Sequence, residues 1–110
     1  MKDLTKIEEI LLLSIWRLKE EAYGFKIRRH ISKITGKDFT YGNLYSALNQ
    51  LTKKKYVNKH PGETTPARRG RIRMYYSLSP EGLKALKSAH EMNRKLWAGI
   101  PEYAFDVNKK

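Results

Sequence analysis

The chain has 110 residues, 40% of them hydrophobic, which suits one domain with a small core. It has no cysteine, so disulfide scaffolds, thiolate metal sites and cysteine nucleophiles are excluded together. Lys and Arg number 23 against 11 Asp and Glu, a formal net charge of +12 that favours a polyanionic partner.

A first helix is expected from Thr5, with Glu8 three residues on as the second half of a capping box. Ile7, Ile10, Leu11, Ile15 and Leu18 recur on one face, and Leu12, Leu13 and Trp16 widen it. A second helix starts near Tyr23-Gly24 with Ile27, Ile31 and Ile34 as its buried stripe, and Gly36 suits a left-handed C-terminal cap. Thr40 is the expected N-cap of a third helix whose Leu44, Leu48 and Leu51 point inward. Two short helices joined by a tight turn read as helix-turn-helix.

After Lys53-Lys54-Lys55 the period changes. Tyr56-Val57 begins a strand, and Pro61-Gly62 opens a loop of Gly, Thr, Pro and Arg reaching Gly70. Residues 71 to 78 alternate, with Ile72, Met74, Tyr76 and Leu78 on one side, as in a strand with one buried face. Together they predict a β-hairpin, the wing of a winged helix. Ser79-Pro80 then restarts a helix, with Ser as N-cap and Pro where its missing N–H costs nothing. That helix is expected to stop at Gly99-Ile100-Pro101. The fold class is therefore mainly α with a small β-hairpin: a winged helix-turn-helix over residues 1–78, a C-terminal dimerisation helix over 79–100 and a flexible tail over 101–110.

The charge is not spread evenly. Residues 22–77 carry thirteen positive and two negative side chains, a net of +11, while 1–21 and 78–110 are at −1 and +2. A concentrated basic segment points to double-stranded DNA, with an anionic membrane surface as competitor. Membrane binding would need apolar groups beside the charges, but 26–29 and 53–55 alternate with core positions instead. No apolar run approaches the ~20 residues of a membrane span and no signal peptide is evident, so a cytoplasmic protein with no membrane partner is expected.

Three stretches carry a family resemblance. Tyr23-Gly24-Phe25-Lys26-Ile27, the run from Gly42 to Leu51 (GNLYSALNQL), and the run from Arg71 to Gly82 (RIRMYYSLSPEG) resemble, in order and spacing, motifs of the PadR-like transcriptional regulators. Ser46 stands where that pattern usually has Pro, and Lys55 where Gly usually ends the recognition helix. The resemblance covers residues 5–98 and implies a dimeric repressor with a short C-terminal dimerisation helix. It also implies that a small aromatic effector can enter the dimer interface.

Read from the residues themselves, the third helix turns Tyr41, Asn43, Ser46, Asn49, Gln50 and Lys53 outward. Asn and Gln can bind adenine bidentately in the major groove, so Tyr41, Asn43, Ser46, Asn49 and Gln50 are candidates for base readout. The bland alternative is an ordinary solvated face. Lys26, Arg28, Arg29, Lys53 and Lys54 are candidates for the DNA backbone. So are Arg68, Arg69 and Arg71 of the wing, unless that loop is merely solvated. Leu83, Leu86, His90, Asn93, Leu96 and Trp97 form a seam suited to dimerisation, the alternative being a helix folded back on its own core. Trp16 and Trp97 are the candidates for lining an effector cavity, though plain core packing is the simpler reading. His30, His60 and His90 lie on separate elements with no partner at ligand spacing, so neither metal nor cofactor nor catalysis is expected. The competing reading of function is a winged-helix module that binds RNA or a protein without reading duplex sequence.

Overall fold

The computed structural model describes residues 3–62 and 72–106. Helix α1 (Lys6–Leu18) starts at the capping box: the Glu8 N–H donates to Thr5 Oγ1 at 3.1 Å and the Thr5 N–H donates to Glu8 Oε1 at 2.9 Å. Leu11, Leu12 and Ile15 are buried, but Ile7, Leu13 and Trp16 are each about half exposed. The buried stripe is thus narrower than the apolar pattern, because only one side of α1 meets the core. A 3-10 turn (Lys19–Glu21) follows, with Lys19 at φ 52°.

Helix α2 (Gly24–Thr35) buries Ile27 and Ile31 and ends on Gly36 at φ 73°, whose N–H reaches the Ser32 carbonyl. Ile34 departs from expectation: it shares the apolar face but sits in the last turn, past the end of the core, and is 65% exposed. The turn into helix α3 (Tyr41–Lys53) is held by two side chains of α2. Arg28 Nε donates to the Phe39 carbonyl, and Ser32 Oγ meets Asp38 Oδ1 at 2.7 Å. Thr40 caps α3 by accepting from the Asn43 N–H at 3.1 Å, and Leu44, Leu48 and Leu51 are fully buried.

Strands β1 (Val57–Pro61) and β2 (Met74–Leu78) pair antiparallel in the register Val57↔Leu78 to Pro61↔Met74. The second strand is shorter than the alternation suggested. Ile72 lies before it and is 57% exposed, and of the inward set only Tyr76 is buried. The hairpin is tied to the helices by the Tyr76 N–H, which donates to the Ala22 carbonyl at 2.8 Å, and by a Tyr23↔Tyr75 bridge.

Helix α4 (Pro80–Trp97) opens at Ser79, which accepts from the Gly82 N–H at 3.0 Å. Ser79 Oγ also donates to the Lys55 carbonyl at 2.6 Å, and its N–H to the Tyr56 carbonyl at 3.0 Å. Gly82 rests directly on the Tyr56 backbone, where any Cβ would collide with the Tyr56 carbonyl. Beyond the helix, a 3-10 turn spans Glu102–Phe105 and Phe105 tilts against Trp97 with ring centroids 5.4 Å apart, while residues 107–110 of the expected tail lie outside the described residues. The order α1-α2-α3-β1-β2-α4 is that of a winged helix-turn-helix.

Candidate nucleic-acid interface

Burying Leu44, Leu48 and Leu51 fixes the rotation of α3 and so determines what its other face offers. Tyr41, Asn43, Ser46, Asn49, Gln50 and Lys53 are all exposed. At 100° per residue Ser46, Asn49 and Lys53 form the centre of the outer face, with Asn43 and Gln50 beside them. The face therefore presents a row of uncharged hydrogen-bonding groups ending in a cation. Tyr45, which the sequence reading left out, flanks this row and stacks on Tyr41 with ring centroids 6.2 Å apart. Its signal was the i, i+4 aromatic spacing with Tyr41.

The candidate phosphate contacts are divided between the outer surface and the fold. Arg29 is exposed, and Lys26 pairs loosely with Glu21 at 3.4 Å. Arg28 is engaged twice within the chain, pinning the turn and covering the Tyr41 ring at 4.8 Å. Lys54, still exposed, is engaged within the chain, its ammonium meeting Glu8 of α1. Burial alone would raise the Glu8 pKa, but hydrogen bonds from Lys54 and Thr5 outweigh it and hold the carboxyl below its ordinary value. A buried carboxylate draws in the nearest cation, and Lys54 is within reach. Arg68, Arg69 and Arg71 lie outside the described residues. Arg73, also missed in the sequence, extends the basic surface onto the hairpin, its guanidinium 3.9 Å over the Tyr23 ring.

The seam on α4 divides in the same way. Leu83, Leu86 and His90 line one groove with Leu13 and Trp16 of α1, and Asn93 lines another with Met92 and Ala89. Leu96 and Trp97 are 65% and 54% exposed. Trp16 and Trp97 are engaged separately among the described residues: Trp97 rests on Phe105, whereas Trp16 borders a cleft of about 360 Å³ with Lys19, His60, Tyr75 and Leu83. Among the described residues no cluster of His, Asp or Glu could hold a metal ion, and no helix is long and apolar enough to cross a membrane.

The model of the transcriptional regulator PadR-like family matches residues 12–88. Among solved structures, RosR of H. salinarum is 25% identical, with a TM-score of 0.65 over 97% of this chain and 89% of its own. A transcriptional regulator from Clostridium thermocellum is 27% identical, with a TM-score of 0.61 over 87% of this chain and 93% of its own. A PadR-like transcription factor from Bacteroides fragilis is 23% identical and shares the fold, with a TM-score of 0.67 over 82% of each chain. No curated protein matches the sequence.

Proposed function

Because the chain belongs to the PadR-like family of transcriptional regulators, whose members are not enzymes, we propose that it is a sequence-specific repressor that binds a palindromic operator as a homodimer. The observation that carries this reading is the outer face of α3, where Asn43, Ser46, Asn49 and Gln50 stand exposed within a segment of net charge +11. An exposed face made only for solubility would carry the charge itself. Here the charge flanks a neutral, hydrogen-bonding row, as expected when phosphates set affinity and base edges set specificity.

Helix α3 enters the major groove, and Lys26, Arg29 and Lys53 hold phosphates on either side. Pairing of two copies through the exposed apolar side of α4 sets the two α3 helices about one DNA turn, ~34 Å, apart. The cleft beside Trp16 is one place among the described residues where a small aromatic effector would fit. A regulator of this kind works in the cytoplasm, where its DNA is.

Selection from random duplexes, followed by binding measured against salt, tests the reading. With about four phosphates neutralised per protomer, log affinity falls against log salt with a slope of about −7 for the dimer. Asn49→Ala or Gln50→Ala costs roughly 1–3 kcal/mol on the selected site only, whereas Arg29→Ala weakens all duplexes alike. A flat salt dependence, or equal losses from Asn49→Ala on selected and random DNA, refutes it. Preference for structured RNA over any duplex would favour the rival module instead.

A further inference from the structure

An open cleft of about 470 Å³ lies between the start of α2, the start of α3 and the hairpin. Among the described residues its walls include Tyr23, Tyr45, Tyr76, Lys59 and Arg73, and no carboxylate. Phe25, Ile72 and Met74 add apolar surface to the cleft, but two cations and several phenol groups, with no carboxylate among the described residues, give it the means to hold an oxyanion.

The back of this cleft is the N-terminus of α2. The first three helical N–H groups, those of Gly24, Phe25 and Lys26, precede any intrahelical acceptor. Tyr23 at the N-cap offers no side-chain acceptor to them, and the first turn holds no acidic residue. A twelve-residue helix presents partial positive charge at this end. The Tyr45 hydroxyl comes so near that any Cβ at Gly24 would collide with it, so residue 24 must be glycine for the phenol to reach the helix end.

A second, independent observation concerns Tyr76. Its side chain is 1% exposed, and its hydroxyl has no hydrogen-bond partner among the described residues. Burial, with Tyr45 nearby, pushes its pKa up, so the group stays a donor at neutral pH. Buried hydroxyls are normally satisfied, and an unpaired one at the wall of a cationic cleft marks a missing acceptor.

Resting on the DNA-binding reading above, we propose that this cleft seats one phosphate of the DNA backbone. Its oxygens accept from the first-turn N–H groups of α2 and from the Tyr45 hydroxyl, while Arg73 and Lys59 supply charge from the hairpin. The Tyr76 hydroxyl gains an acceptor when the seat fills. The seat clamps the start of α2, the start of α3 and the hairpin onto one point of the backbone and so fixes how deeply α3 enters the groove.

The test is a methylphosphonate scan of the selected duplex, one neutral linkage at a time, with the full chain as wild type, Tyr45→Phe and Arg73→Gln. Thermal melts of the free proteins first establish that both variants fold. On unmodified duplex each variant binds about tenfold more weakly, and Arg73→Gln also makes the salt slope shallower by about 0.9 per protomer. One linkage per half-site costs the wild type a similar factor but costs Tyr45→Phe almost nothing further. Variants that bind as wild type, or losses that add at every linkage, overturn the seat while leaving the regulatory reading intact. A wild-type chain that prefers no duplex at all overturns the regulatory reading, and the seat with it.

Discussion

Replacing Lys55 by glycine should stabilise the protein. Lys55 follows the end of α3 with φ at 66°, in the left-handed region. A side chain there costs about 1–2 kcal/mol through the clash of Cβ with the backbone. Glycine escapes that cost but loses about 0.5–1 kcal/mol more backbone entropy on folding. The contacts that matter at this position are made by the main chain: the Lys55 N–H donates to the Thr52 carbonyl at 3.0 Å, and the Lys55 carbonyl accepts from Ser79 Oγ at 2.6 Å. Both survive in glycine, and the lysine side chain itself is exposed. The net gain is about 0.5–1 kcal/mol, or roughly 2–4 °C in melting temperature for a domain of this size. Thermal and urea unfolding followed by circular dichroism, at one fixed protomer concentration, measure it. Lys55→Ala is the control, since it removes the same charge but keeps the Cβ. If the alanine variant gains as much as the glycine variant, charge rather than backbone strain is responsible and the reasoning fails.

Three further outcomes follow from packing and ionisation. Tyr76→Phe deletes an unpaired buried hydroxyl and should stabilise the free protein by about 1 kcal/mol, while weakening DNA binding; a clear loss of stability in urea titration would show that the hydroxyl has a partner. Gly82→Ala should cost about 1–3 kcal/mol or more, because the new methyl meets the Tyr56 main chain rather than a movable side chain; an unchanged melting temperature contradicts the close packing of α4. The Glu8 carboxyl titrates below its ordinary value of 4.5 in the folded chain, so the stability it provides is complete above that pH and drains as pH falls through the lower folded value. Glu8→Gln should flatten that part of the stability-against-pH curve, and a profile parallel to wild type between pH 3 and 5 would refute the assignment.

Local chemistry made much of this fold legible from the residues. The Thr5–Glu8 box, the caps at Thr40 and Ser79 and the glycine at 36 each act within four residues, so the sequence alone displays both partners. The leucines of α3 were equally plain, and with them the outward row from Asn43 to Lys53. Contacts across the fold were not visible in this way. Lys54 and Glu8 lie 46 residues apart, so nothing in the string Lys53-Lys54-Lys55 tells which lysine meets that carboxylate. Periodicity also reports that Ile7, Leu13, Trp16 and Ile34 are apolar without saying whether the chain has anything to cover them with. The spacing of Tyr45 from Tyr41 was visible but not its approach to Gly24, and Arg73 becomes meaningful only once Tyr23 at the start of α2 is placed beside it.

The joint between α3 and α4 is a very short one. A hydroxyl, two carbonyls and a glycine without a side chain weld the start of α4 to residues 55 and 56, with no linker to bend. Helix α4 then extends for eighteen residues, about 27 Å. Such an arm has the mechanics of a lever: a tilt of about 5° at one end moves the other by roughly 2 Å over that length. Wherever α4 is gripped by a second copy, its angle is passed almost undiminished to α3. In the dimer proposed above, the crossing angle of the two arms would set the spacing of the α3 helices, and a small wedge between the arms would shift those helices relative to successive turns of DNA.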